Sequence, residues 1–313
     1  AFGRTPVGYN KKMRIVLVGG GTGGHFYPLM AVAEAIRDGE TATGTQSELI
    51  YMGPEPYDMP ALQTFNIGYV YCPTGKQRRY RSFLNFLDVF KVFFGIFVAI
   101  YKLFILYPDT IMSKGGYTSV PVVIAGWLLR IPIVIHESDA VPGRANKIGA
   151  RFARYIAISY EDVARFFPQE KIARTGIPIR KVLLGSAPQN GAVTLGIDPS
   201  LPLILILGGS LGAERVNTLI LESLDELLPS FNVIHQTGTA NFETVKASAL
   251  SLITDEALRS RYHPIAFVPV EVLNTALATR TAPGHVCTKG FLEVLEDAGL
   301  EGHQNIGSFA TFF

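Results

Sequence analysis

Two stretches of this chain repeat one pattern, and that pattern leaves few folds open. RIVLVGG (14–20) is a short aliphatic run ending in glycines, and PLMAVAEAIRD (28–38) beyond it has helical spacing, with Pro28 expected near the first turn. LILILGG (203–209) does the same and runs into a helical segment that ends at 228. A strand that is apolar on both faces belongs in a parallel sheet covered by helices on both sides, and parallel neighbours need a crossover between them. The first half supplies the other pieces. SELIYMG (47–53), TIMSKGG (110–116), IPIVIHES (131–138) and YIAISY (155–160) read as strands. SVPVVIAGWLLR (119–130) and PGRANKIGARFAR (142–154) read as helices, and KIARTGIP (171–178) closes that half. FNVIHQTG (231–238) is a further strand of the second half. The expectation is an α/β chain of two tandem Rossmann-like domains. They are an N-terminal domain over 13–180, a Gly-, Pro- and Asn-bearing linker over 181–202, and a C-terminal domain over 203–313. Ligands of such sheets sit at the carboxyl ends of the strands, so two domains in tandem suggest a cleft between them.

Composition narrows the function. Hydrophobic residues make up 48% and charged residues 17%, which directs attention to a membrane-facing surface. A formal net charge of +2 gives no nucleic-acid footprint. The two cysteines, Cys72 and Cys287, are too far apart in sequence to suggest a disulfide framework or a metal motif. Residues 1–12 lack the apolar core of a signal peptide, and Met13, directly before the first strand, is read as the natural start.

The first glycine turn, GGGTGGH (19–25), carries the chemistry. Gly19, Gly21 and Gly24 have the spacing of a dinucleotide fingerprint. The acid that fingerprint wants at the end of the second strand is missing, since Glu55 comes too late, and this disfavours a nicotinamide cofactor. Glycines at a helix start let backbone N–H groups approach an anion. His25 sits at that electropositive end, where imidazolium is disfavoured and the neutral ring can accept a proton. A neutral base beside a diphosphate-receiving turn suits deprotonation of a hydroxyl attacking a carbon that bears a diphosphate leaving group. A histidine there could equally cap or pack. Gly208, Gly209, Ser210, Leu211 and Gly212 form a second turn, with backbone donors and one hydroxyl. Gly115-Gly116-Tyr117 and His136-Glu137-Ser138-Asp139 end two strands on the ligand-bearing edge, and Arg180 follows the last strand of the first domain, where it could pair with phosphate.

The segment SFLNFLDVFKVFFGIFVAIYKLFILYPD (82–109) is the most apolar stretch, but only ten residues lie between Lys91 and Lys102, too few to span a bilayer. Asn85, Asp88, Lys91, Gly95 and Lys102 share one narrow helical face. Lys76, Arg78, Arg79 and Arg81 precede it, and Arg144, Lys147, Arg151 and Arg154 share a face of the 142–154 helix. An apolar helix flanked by basic residues fits docking on an anionic membrane surface, and a core helix beside a solvated charged face is the alternative.

Taken in order and spacing, GGGTGGHFYPLMAVAEAI, SKGGYTSVPVVIAGWLLRIPIVIHESDAVPGRANK, GIPIR and LGGSLGAERVN resemble the bacterial MurG-type N-acetylglucosaminyltransferases over about Arg14–Ala278. The resemblance implies a GT-B glycosyltransferase that is peripheral on the cytoplasmic side of the inner membrane. It implies inverting transfer of GlcNAc from UDP-N-acetylglucosamine to the C4 hydroxyl of MurNAc in undecaprenyl-pyrophosphoryl-MurNAc-pentapeptide, a step of peptidoglycan biosynthesis, without a bound metal or other cofactor. It carries the base onto His25 and substrate contacts onto Thr22, Gly23, Gly24, Asp139, Arg180 and Ser210. Asp139 stands where the family motif has Asn, and an anionic carboxylate there repels a diphosphate unless it is protonated or paired. The family's GxxTxxE segment does not appear after Ala278, so the second domain is expected to be incomplete and one sheet edge unpaired. A nucleotide-sugar binder without turnover and a nicotinamide-dependent oxidoreductase are the remaining alternatives.

Overall fold

A computed structural model describes residues 12–75, 83–184, 191–208 and 212–278. The chain divides into two compact units, Ala1–Arg180 and Lys181–Phe313.

Among the described residues the first unit holds seven parallel strands: β1 (Met13–Gly19), β2 (Ser47–Gly53), β3 (Ile67–Tyr71), β4 (Thr110–Gly115), β5 (Ile133–Glu137), β6 (Tyr155–Ile158) and β7 (Ile172–Arg174). They lie in the order β3-β2-β1-β4-β5-β6-β7. The chain first builds outward from β1 in one direction and then restarts at β4 on the other side, so the order reverses between β1 and β4. The helices are α1 (Gly23–Thr43), α2 (Met59–Thr64), α3 (Phe83–Leu106), α4 (Val120–Leu128) and α5 (Arg144–Phe152).

Strand periodicity decides which helix covers which face. Ile15 and Leu17 of β1, with Leu49 and Tyr51 of β2, pack against Phe26, Leu29, Met30 and Ala33 of α1 and Leu62 of α2. The alternate residues Val16, Val18, Ile50 and Met52 face the other way, against Ala99 and Leu103 of α3 and Val122, Val123 and Ala125 of α4. Both faces of the central strands are therefore buried, which is why they read as continuous apolar runs.

Two expectations change. Helix α1 begins at Gly23, five residues before the expected 28, so Pro28 lies inside the helix and cannot donate to the carbonyl four residues back. The pair α2 and β3 was not foreseen, because six helical residues and a strand containing Gly68 carry little periodicity.

In the second unit come α6 (Gly191–Leu195), β8 (Leu203–Leu207), α7 (Glu214–Glu222), α8 (Leu224–Leu227), β9 (Asn232–Gln236), α9 (Phe242–Leu252), α10 (Glu256–Arg259), β10 (Tyr262–Ile265) and α11 (Val270–Ala278). The described strands form a parallel sheet in the order β10-β9-β8. The expected linker over 181–202 includes a helical turn at Lys181–Leu184 and α6, and α11 contacts both. A buried polar knot fixes this sheet to its helices: His235 bonds through Nδ1 to the Tyr262 hydroxyl (2.9 Å) and through Nε2 to Asn217 Oδ1 (3.0 Å). The tail beyond Ala278, with Cys287, lies outside the described residues.

Candidate active site at the strand-order reversal

The carboxyl ends of β1 and β4 are neighbours, with Gly19 opposite Gly115 in the register. Their turns therefore rise side by side at the reversal point, where doubly wound sheets take their ligands. The β1 turn needs glycine at Gly21, whose φ is +87° and whose added Cβ would lie 2.4 Å from the Tyr117 ring. From below, the Tyr51 hydroxyl donates to the Gly19 carbonyl at 3.1 Å. In the β4 turn, Gly116 has φ +79°, and a side chain there would meet the His25 ring at 3.4 Å. The two turns thus close on the histidine.

Thr22 is the N-cap of α1, but its hydroxyl makes no bond to the helix backbone. It is instead 2.8 Å from His25 Nδ1. Cap and third helical residue are joined through their side chains, so neither satisfies a backbone N–H as a capping box would. This bond orients the half-buried ring and leaves Nε2 as its other nitrogen. Burial, and then the Lys114 ammonium, hold the imidazole below the ordinary histidine range, against an upward pull from Asp139. The helix N-terminus works in the same direction as Lys114.

Beside this ring lies a buried polar cluster at the ends of β4 and β5. Lys114 is 3% exposed, and its Nζ donates to Ser138 Oγ at 2.7 Å. Glu137, equally buried, accepts from the backbone N–H groups of Asp139 and Gly143 and from Asn146 Nδ2, each at 3.0 Å. Gly143 is the N-cap of α5, so the carboxylate closes that helix start. Asn146 Nδ2 also donates to the His136 carbonyl at 3.0 Å. His136 lies 2.9 Å through Nε2 from the Gly176 carbonyl, and burial pushes its pKa down to about 4. Asp139 is exposed. Burial of its carboxyl and the neighbouring Glu137 raise its pKa, and Lys114 and His25 oppose that.

Of the residues singled out in the sequence, Thr22, Gly23, Gly24 and His25 begin α1, and Asp139 lies in the loop after β5, close enough to act electrostatically on His25. Arg180 places its guanidinium 4.7 Å from the centre of the Tyr27 ring, two residues beyond His25, and Tyr27 in turn donates to Asp58 at 3.2 Å. Ser210 lies outside the described residues, as do Lys76, Arg78, Arg79 and Arg81. Sequence reasoning missed Lys114, Asn146 and Tyr27. The lysine stood in the quoted SKGG, but only the pairing of β4 with β1 gives it a role. Among the described residues no three histidine, cysteine or carboxylate side chains are grouped to hold a metal ion.

Helix α3 presents a second surface. Phe90, Phe93, Phe94, Phe97, Tyr101, Phe104 and Ile105, a stripe at helical spacing, are 58–70% exposed. The inward side is formed by Gly95, Ala99 and Leu103, with Asp88 also buried. Part of the polar face expected from sequence thus turns into the protein, and the aromatic face turns out. Arg144, Lys147, Arg151 and Arg154 are all exposed. No helix among the described residues is long and apolar enough to cross a membrane.

Two Rossmann-like units in tandem are the architecture of the GT-B class of glycosyltransferase folds. Residues 15–158 match the glycosyltransferase family 28 N-terminal domain and residues 203–273 the family 28 C-terminal domain. The chain belongs to glycosyltransferase family 28. It is 38% identical over 231 residues to UDP-N-acetylglucosamine–N-acetylmuramyl-(pentapeptide) pyrophosphoryl-undecaprenol N-acetylglucosamine transferase 2 of Bacillus cereus, covering 74% of this chain and 64% of that one. The enzyme of that name (without the numeral) from Treponema denticola is 35% identical over 271 residues, covering 82% of this chain and 68% of that one. The chain thus spans about two thirds of the length of these relatives. In fold it is similar to Acinetobacter baumannii MurG, with a TM-score of 0.53 at 24% identity over 82% of this chain and 67% of that one. It is also similar to the UDP-GlcNAc 2-epimerase of Neisseria meningitidis, with a TM-score of 0.52 at 14% identity over 84% of this chain and 74% of that one.

Proposed function

We propose that this chain carries the machinery for inverting transfer of GlcNAc from UDP-N-acetylglucosamine to the C4 hydroxyl of MurNAc on a polyprenyl-diphosphate carrier. The observation that carries the reading is the His25 ring, oriented by Thr22 and kept short of protons at the mouth of an anion-receiving turn. With Nδ1–H donating to Thr22, Nε2 has the free lone pair. It takes the proton of the attacking hydroxyl as that oxygen bonds to C1 of GlcNAc. The C1–O bond to the β-phosphate breaks on the opposite face, and UDP leaves with the electron pair. Attack from the far side inverts C1. Backbone N–H groups of Gly23 and Gly24 at the α1 start suit the acceptor diphosphate. Arg180 and Ser210 are assigned to the nucleotide sugar, and Asp139 to the substrate rim. In this reading the first unit serves the acceptor and the membrane, and the second serves the donor nucleotide.

The membrane reading rests on the aromatic stripe of α3. Seven large exposed side chains on one helix face exceed what water tolerates on a monomer surface without a purpose. Together with the basic face of α5 they suit the headgroup region of an anionic bilayer. A peripheral seat on the membrane follows from the acceptor's lipid tail, and the resemblance to the MurG-type enzymes assigns it to the cytoplasmic leaflet.

The test is transfer of labelled GlcNAc to a lipid-linked MurNAc acceptor, with the Bacillus cereus relative as control. His25→Ala lowers kcat by about 10²–10⁴-fold if His25 is the base. Unchanged turnover removes it from that role. UDP-GlcNAc binding without any transfer by this chain would favour the binder without turnover.

A further inference from the structure

The charges beneath the glycine turn carry one step more, which rests on the reading of His25 as the base. Burying an ammonium costs several kcal/mol unless other groups compensate it. Lys114 is buried at the centre of the sheet, with a hydroxyl as its hydrogen-bond partner; burial lowers its pKa, and Glu137 and Asp139, acting through space, oppose that and favour the ammonium. What the position supplies is a cation one strand away from the imidazole. Gly115 and Gly116, directly after it, carry the chain up against the His25 ring.

The groups around the ring can be named element by element. From the β1 turn comes the Thr22 hydroxyl, on Nδ1. From β4 comes Lys114, and from the turn after it Gly116. From the loop after β5 comes Asp139. Lys114 and Asp139 are the charges that act on His25, with opposite sign. Lys114 is buried throughout, whereas Asp139 is an exposed residue whose carboxyl is only partly withdrawn from water, so solvent screens the anion more than the cation.

We propose that Lys114 is a positioning residue for His25: its ammonium keeps protons off the imidazole, so that Nε2 stays open to receive one, and Asp139 opposes it from the solvent side. Asp139, the carboxylate standing where the family motif has Asn, is then one half of a charge balance whose other half is Lys114.

The test is an NMR titration of the His25 imidazole in the full chain, free of substrate. Lys114→Met is expected to raise the His25 midpoint by about half a pH unit or more. Asp139→Asn is expected to lower it by less, and the double variant to fall between the two. Lys114→Gln, which keeps a polar N–H donor at that position, removes the charge a second way should Lys114→Met fail to fold. In the transfer assay, the acidic limb of the kcat profile moves with the NMR midpoint in each variant. An unmoved midpoint in the folded lysine variants overturns the proposal. A midpoint that moves while the acidic limb does not leaves Lys114 in its role and counts instead against His25 as the base.

Discussion

Replacing His136 with glutamine should make the first unit less sensitive to acid. His136 is 1% exposed, and its pKa is about 4 against 6.5 for a free histidine. Its Nε2 faces the Gly176 carbonyl at 2.9 Å, and its buried Nδ1 has no hydrogen-bond partner among the described residues. The folded state therefore takes up this proton far less readily than the unfolded chain. A group whose folded pKa is depressed leaves stability intact above the unfolded value and withdraws it as pH falls toward the folded one. The window is pH 6.5 down to about 4. At pH 4.5 the wild type should have lost about 2.5 kcal/mol through this residue, at about 1.4 kcal/mol per pH unit. Glutamine places an amide N–H where Nε2–H was and does not titrate, so His136→Gln keeps the bond to Gly176 and escapes the loss. The assay is urea unfolding followed by fluorescence of Trp127, the one tryptophan, whose ring lies 4.8 Å from Phe152 within the first unit. Between pH 7.5 and 4.5 the wild-type midpoint should fall further than that of the variant, by about 1 M urea. Carboxylates and the other histidines titrate in both proteins and cancel in the difference. Midpoints that fall in parallel would refute the argument that burial of this ring keeps it unprotonated.

Arg180→Ala should weaken UDP-GlcNAc binding about tenfold in calorimetry; an unaltered dissociation constant rejects that contact. Replacing Phe94 and Phe97 together by serine should lower partitioning onto phosphatidylglycerol vesicles by about tenfold or more, since each ring contributes on the order of 1–2 kcal/mol when it leaves water. Equal sedimentation of both proteins with the vesicles would leave the stripe without a membrane role. Leu103→Ala, on the inward face of α3, should destabilise the first unit by about 2–5 kcal/mol in urea unfolding, and an unchanged midpoint would contradict the observed orientation of that helix.

How much of this was legible in the sequence depended on the range of the interaction involved. The two-sided burial of β1 could be read from RIVLVGG because every residue of a central parallel strand meets a helix, on one face or the other. The glycine turn and His25 could be read because a strand end, a tight turn and a helix start follow one another within a dozen residues. The start of α1 was placed late because Pro28 resembles a first-turn residue, and the glycines before it weaken helical propensity. Helix α3 is the instructive case. Periodicity separated its faces but could not say which one turns inward, since the usual rule buries the apolar side. The small residues Gly95 and Ala99 decide it: Gly95 lets the helix lie close against the Pro73 backbone and Pro121 of α4, Ala99 joins the core, and the aromatic side is left outside.

The charge cluster was not legible, for a reason of topology. Lys114 is 89 residues from His25 in the chain (114 − 25), and nothing local marks it as functional. It becomes a neighbour of the glycine turn only because the strand order reverses between β1 and β4, so that the chain returns to the centre of the sheet after building β2 and β3 at its edge. The same return puts β5, with His136, Glu137 and the loop bearing Asp139, one strand further on. A histidine at a glycine turn is common enough in sequence to mean little. A histidine there with a buried ammonium one strand away, and a carboxylate set against it, is a site whose protonation is governed from three separate elements. The sheet order that brings those elements together is therefore as much a part of the proposed chemistry as the ring itself.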